Sequence, residues 1–164
     1  MENVILIGMP GCGKSTVGVV LAKSLGFGFT DTDLIICEKE CQKLQDLIDE
    51  QGIKRFLEIE EQVGRELKCK NTVVATGGSM VMNQKAMENL KSLGTVVYID
   101  VPLEVLKKRI NNMKTRGIVF EKGETLEDIF NKRTPLYKKY ADITVTVSKN
   151  GSLEHTAAKI VKKL

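Results

Sequence analysis

The chain of 164 residues carries 25 Lys and Arg against 21 Asp and Glu, a net charge of +4, with 42% hydrophobic and 28% charged residues. This is the balance expected of one soluble domain of ordinary size, long enough to bury a core without disulfides or a structural metal. Scattered charge and the absence of Trp exclude a basic, aromatic-lined nucleic-acid surface, and no apolar run is long enough to span a bilayer.

Strand and helix patterns alternate from end to end. Val4 to Ile7 is a continuous apolar run, the mark of a strand buried on both faces. Residues 14–25 carry Val17, Val20, Leu21 and Leu25 at helical spacing, and Gly26 stops the helix. Residues 27–30 form a short second strand ending at Asp31. Two helical stretches, 34–43 and 44–50, precede a break at Gly52. Ile53, Phe56, Ile59, Val63 and Leu67 then mark one face of a longer helix. Residues 72–76 are a third strand closed by Gly77-Gly78, and a helix follows through Met87, Leu90 and Leu93. Residues 95–99 are the fourth strand. Pro102 suits the first turn of the next helix, which turns Leu103, Leu106 and Ile110 inward. Residues 111–124 are polar, basic and aperiodic, and read as a long mobile loop of the kind that is functional or disordered. Residues 126–140 are helical up to or around Pro135, 143–147 form the fifth strand, and 153–164 the closing helix. The pattern predicts a single α/β domain, 1–164, whose parallel sheet is covered by helices on both faces. Ligands of such sheets bind at the carboxyl ends of the strands, where Gly8, Asp31 and Gly77 all fall.

Gly8-Met9-Pro10-Gly11-Cys12-Gly13-Lys14-Ser15 fits the phosphate-binding pattern G-x-x-x-x-G-K-[ST] in full, between a buried strand and an amphipathic helix. Backbone N–H groups of Gly11, Cys12, Gly13, Lys14, Ser15 and Thr16 can curl around phosphate oxygens, at the positive end of the helix dipole. Lys14 is expected to reach the β- and γ-phosphates of ATP, and the Ser15 hydroxyl to ligate Mg²⁺. Asp31-Thr32-Asp33 ends the second strand. One carboxylate could organise the metal's water shell and the other hold a substrate hydroxyl; alternatively either acid caps the next helix.

From these residues onward the sequence resembles the shikimate kinase family along nearly its whole length. The matching pieces are Ile7-Gly8 through Ser15-Thr16-Val17-Gly18, Asp31-Thr32-Asp33, Phe56 with Ile59-Glu60-Glu61, Ala75-Thr76-Gly77-Gly78, Val96-Val97-Tyr98-Ile99, Arg116, and Lys132-Arg133-Thr134-Pro135-Leu136-Tyr137. The resemblance implies a P-loop NTPase fold: a five-stranded parallel sheet in the order 2-3-1-4-5, a lid at 111–124, and a substrate-binding helical region at 33–62. It implies that Asp33 holds the acceptor hydroxyl and acts as base, and that Asp31 supports Mg²⁺. It places Gly77 and Gly78 beside the substrate, Arg109 on adenine, Arg116 on the phosphates, and Arg133 on the substrate carboxylate. Without the resemblance, Arg116 and Arg133 would read as ordinary surface arginines. With it, the expected reaction is ATP- and Mg²⁺-dependent phosphorylation of a hydroxylated acid, best matched by shikimate going to shikimate 3-phosphate.

Three positions depart from the family pattern. Leu57 stands where a second carboxylate-binding arginine is usual, directly after Phe56; Arg55 lies two residues earlier, roughly 200° around the helix, and reaches the substrate only if the backbone differs locally. Ser79 stands where a third glycine is usual, adding a side chain near the substrate. Arg116-Gly117 replaces Arg-Pro and should loosen the lid. Two rival functions remain: a gluconate-type kinase for another polyol or hydroxy acid, and a nucleotide-binding protein without a metabolic substrate. Cys12, Cys37, Cys41 and Cys69 form no C-x-x-C pair and, with one histidine, read as reduced structural thiols. The segment before Gly8 is too short for a secretory h-region. A cytoplasmic monomer with no nucleic-acid or membrane partner is expected.

Overall fold

The computed structural model describes residues 3–110, 118, 121–148 and 151–164. The sheet is built from β1 (Asn3–Ile7), β2 (Gly28–Asp31), β3 (Thr72–Ala75), β4 (Gly94–Asp100) and β5 (Ile143–Thr146). Its order is β2-β3-β1-β4-β5, every pairing is parallel, and Leu6 stands opposite both Ala75 and Val97 in the central register. The order matches the expectation. All five residues of β1 are buried, which is why this strand reads as an unbroken apolar run. Asn3 closes its start: Nδ2 donates to the carbonyls of Cys69 and Leu93, and Oδ1 accepts from the Thr72 amide.

The helices are α1 (Lys14–Leu25), α2 (Thr32–Glu40), α3 (Leu44–Glu66), α4 (Gln84–Leu93), α5 (Leu103–Arg109), α6 (Leu126–Tyr140) and α7 (Leu153–Val161). α1 packs with α7, and α3 with α4. The segment after β3 differs from expectation, since a 3-10 turn at Met80–Met82 precedes α4. Gly52, with φ 83 and ψ 163, interrupts α3 where the pattern breaks. α6 runs through Pro135 to Tyr140, because Arg133 and Tyr137 are buried on one face on either side of the proline. Thr125 and Asp128 form a reciprocal capping box at its start.

Two hydrophobic clusters result. The larger fills both sides of the sheet, and the smaller, Ile36, Leu47, Phe56, Ile59 and Val63, joins α2 to α3. The four cysteines are free: Cys12 is buried, Cys41 exposed, and Cys37 and Cys69 intermediate. Among the described residues no helix is long and apolar enough to cross a membrane.

Candidate active site

At the carboxyl edge of the sheet lies a cavity of about 310 Å³. Its nucleotide side is the loop between β1 and α1, contributing Gly11, Gly13, Lys14, Ser15 and Thr16. Gly13 sits at φ 98, ψ 18, a left-handed conformation that a side chain would strain, and it turns the chain into α1. Lys14 is nearly buried, and its Nζ donates to the carbonyls of Gly8 (2.7 Å) and Met9 (2.9 Å), which holds the cation over the loop. Cys12 turns its side chain into the core and leaves its backbone on the loop, where its carbonyl accepts from Arg109 Nη1 at 3.4 Å. Arg109 therefore stands over the phosphate loop.

Asp31 takes the capping role that its sequence position left open and also reaches the phosphate loop. One oxygen caps α2 by accepting from the Asp33 amide at 2.9 Å; the other accepts from the Ser15 hydroxyl at 2.6 Å. A hydroxyl paired with a carboxylate oxygen is a hard-oxygen donor set at the end of a phosphate loop. It fits Mg²⁺, which takes few protein ligands and completes its shell with phosphate and water.

The acceptor side is assembled from distant segments: Asp33 on α2, Gly78 and Ser79 after β3, and Arg133 on α6 all line the same cavity. The Gly77–Ser79 segment is fixed from three directions. The Gly77 amide donates to Thr32 Oγ1 at 3.0 Å, the Tyr137 hydroxyl donates to the Gly78 carbonyl at 2.6 Å, and the Ser79 hydroxyl donates to Glu60 Oε2 at 2.7 Å. Tyr137 is itself stacked on Tyr98, with ring centroids 5.1 Å apart. Gly77 is required by proximity. A Cβ there would lie 2.5 Å from Glu60 Oε1 and 2.7 Å from Asp33 Oδ1.

Two carboxyls thus flank one glycine. Burial, then the neighbouring Asp31 charge, push Asp33 up to about 6, against a lowering influence from Lys14. Burial drives Glu60 to about 8; the Ser79 hydrogen bond pulls down, Asp33 pushes up, and Arg133 and Lys14 pull down. Arg133 is 2% exposed, so its charge acts in a poorly solvated setting and is strong there.

Not every expected residue reaches this cavity. Arg55 is half exposed and pairs with Glu58 at 3.5 Å on the outer side of α3, so the fold does not bring it to the acceptor side. Leu57 packs against the small α2–α3 cluster and borders an adjacent cavity of about 20 Å³ that Arg133 also borders. Arg116 and most of the segment expected to form a lid, 111–117 and 119–120, lie outside the described residues. Thr32, Glu60 and Tyr137 carry no assigned role in the sequence reading. Glu60 had a signal: it is an acid on the inward face of α3, beside Phe56, Ile59 and Val63.

A phosphate loop at a strand end, facing a partly buried acid and a buried arginine across one cavity, defines a P-loop phosphotransferase acting on a small acidic molecule. The family model described as Shikimate kinase matches residues 10–164. The shikimate kinase of Persephonella marina is 37% identical over 147 residues, 89% of each chain. That of Clostridium botulinum is 37% identical over 166 residues, 100% of this chain and 98% of its own. The solved structure of the shikimate kinase from Acinetobacter baumannii in complex with shikimate superposes with a TM-score of 0.92 at 32% identity, covering 99% of this chain and 92% of that one. The chain belongs to the shikimate kinase family.

Proposed function

We propose that the protein transfers the γ-phosphoryl group of ATP to a hydroxyl of shikimate, giving shikimate 3-phosphate. The observation that carries this reading is the single cavity bounded by the phosphate loop, Asp33 and Arg133. It offers anion-binding amides, a hydroxyl-binding acid and a carboxylate-binding cation, the complement of ATP plus a hydroxy acid.

Phosphoryl transfer is chiefly positioning and charge stabilisation. Loop amides and Lys14 take the β- and γ-phosphates. Asp33 orients the acceptor hydroxyl and takes its proton; its raised pKa of about 6 leaves it ionised at neutral pH. Arg133 grips the acceptor carboxylate, a charge-assisted contact strengthened by burial. Ser15 and Asp31 would hold Mg²⁺, which supplies charge neutralisation between the phosphates when bound. Arg109 stacks on adenine. Arg116 closes over the phosphates with the lid at 111–124, and closure keeps water from the phosphoryl group. The reading extends to a cytoplasmic monomer acting on a small-molecule substrate.

A coupled ADP assay with shikimate, gluconate and other hydroxylated acids tests the reading. Turnover should be greatest with shikimate. Preference for gluconate, or ATP binding without turnover on any acid, would refute it.

A further inference from the structure

Ser79 adds a hydroxyl to the cavity wall at a position where the family pattern has glycine. It is 4% exposed, lines the cavity between Asp33 and Arg133, and donates its only proton to Glu60 Oε2 at 2.7 Å. A serine hydroxyl has one proton and two lone pairs, so with the proton committed, accepting is what remains. Glu60 fixes the direction of that hydroxyl. Its side chain is fully buried, and its second oxygen, Oε1, finds no hydrogen-bond partner among the described residues. Oε1 is packed against Gly77, opposite Asp33 Oδ1, which leaves Oε2 turned to Ser79. Ionised Glu60 accepts from Ser79 at Oε2, whereas protonated Glu60, with no partner for a proton on Oε1, donates from Oε2 to the Ser79 oxygen; in both states that oxygen keeps a lone pair for a ligand hydroxyl.

Three chain segments therefore place three different polar groups around one small volume. Asp33 serves the reacting hydroxyl and Arg133 the carboxylate, which leaves Ser79 without a partner in the ligand. We propose that Ser79 is a specificity-determining residue that accepts a hydrogen bond from a second, non-reacting hydroxyl of the acceptor, with Glu60 as the positioning residue that fixes its direction. The site then selects acids bearing at least two hydroxyl groups. This inference rests on the kinase reading above.

The experiment is a cycle between protein and ligand. Initial rates are measured for the wild type and Ser79→Ala with shikimate and with its two analogues lacking one non-reacting hydroxyl. The wild type should disfavour one analogue by about tenfold, chiefly in KM, as expected for one hydrogen bond in a site that cannot otherwise satisfy its acceptor. Ser79→Ala should lose on shikimate what the wild type loses on that analogue, so that the discrimination disappears. Ser79→Gly, with the residue usual in the family, repeats the test should the alanine variant fail to fold, judged by nucleotide binding. Glu60→Gln keeps an acceptor for Ser79 and should preserve discrimination, whereas Glu60→Met should abolish it while ATP still binds. Undiminished discrimination in the Ser79 variants, or none in the wild type, overturns the inference alone. No turnover of shikimate by the wild type overturns the kinase reading and the inference with it.

Discussion

The two sides of the cavity are built differently. The nucleotide side is one continuous segment, 8–16, folded around its own amides, and Lys14 is held by carbonyls five and six residues before it. The acceptor side draws Asp33, Glu60, Ser79 and Arg133 from four elements, tied by contacts between residues as far apart as Gly78 and Tyr137. A local device tolerates little variation, because each residue type is fixed by the phosphate. A composite wall can exchange its members singly, and here it has done so at Leu57 and Ser79.

That contrast ranks the expected effects. Lys14→Met and Asp33→Asn strike one group on each side. Each should lower kcat by about 10²–10⁴-fold. In steady-state assays Lys14→Met should also weaken ATP binding, whereas Asp33→Asn should leave it intact. Arg133→Ala should raise the KM for shikimate by about 10–100-fold, the scale of a lost charge-assisted hydrogen bond, with a smaller change in the KM for ATP.

Leu57→Arg sharpens the comparison from the other direction. Position 57 borders the small cavity next to Arg133, so a guanidinium there should lower the KM for shikimate by about tenfold. No improvement would mean that the acceptor carboxylate does not sit on that side of Arg133. Gly77→Ala forces a Cβ between two carboxyls and should cost about 1–3 kcal/mol, read as a lowered urea midpoint.

A further effect concerns pH. Glu60 rises from an ordinary value of 4.5 to about 8 in the folded protein, so the fold retains a proton that the unfolded chain has lost across that window. Stability therefore falls as pH rises from about 4.5 to about 8. Glu60→Gln removes this contribution, and its urea midpoint should decline less over the same range. A wild-type slope no steeper than the variant's would place the Glu60 proton outside the folding equilibrium.

The same contrast explains what could be read from the residues. The sheet was legible because β1 and β4 are apolar runs, α1 has helical spacing, and Gly26 and Gly52 mark the breaks. The phosphate loop was legible because it is one motif. The supports of the acceptor wall were not. Thr32 accepts from a residue 45 positions away, and Tyr137 reaches Gly78 across 59, contacts that no local pattern encodes. Arg133 was recognisable only through the family resemblance, since a lone basic residue on an amphipathic helix carries no sign that it will be buried. Arg55 stays where helical spacing puts it, turned outward to Glu58, and the backbone shift that would bring it to the acceptor side is not found.

The most direct test of the central claim is ADP release from Mg²⁺-ATP, with and without shikimate, by the wild type and Asp33→Asn. The account predicts strong shikimate-dependent release by the wild type, lost in Asp33→Asn while ATP binding persists. Release that is independent of shikimate, or equal in the two proteins, would contradict it.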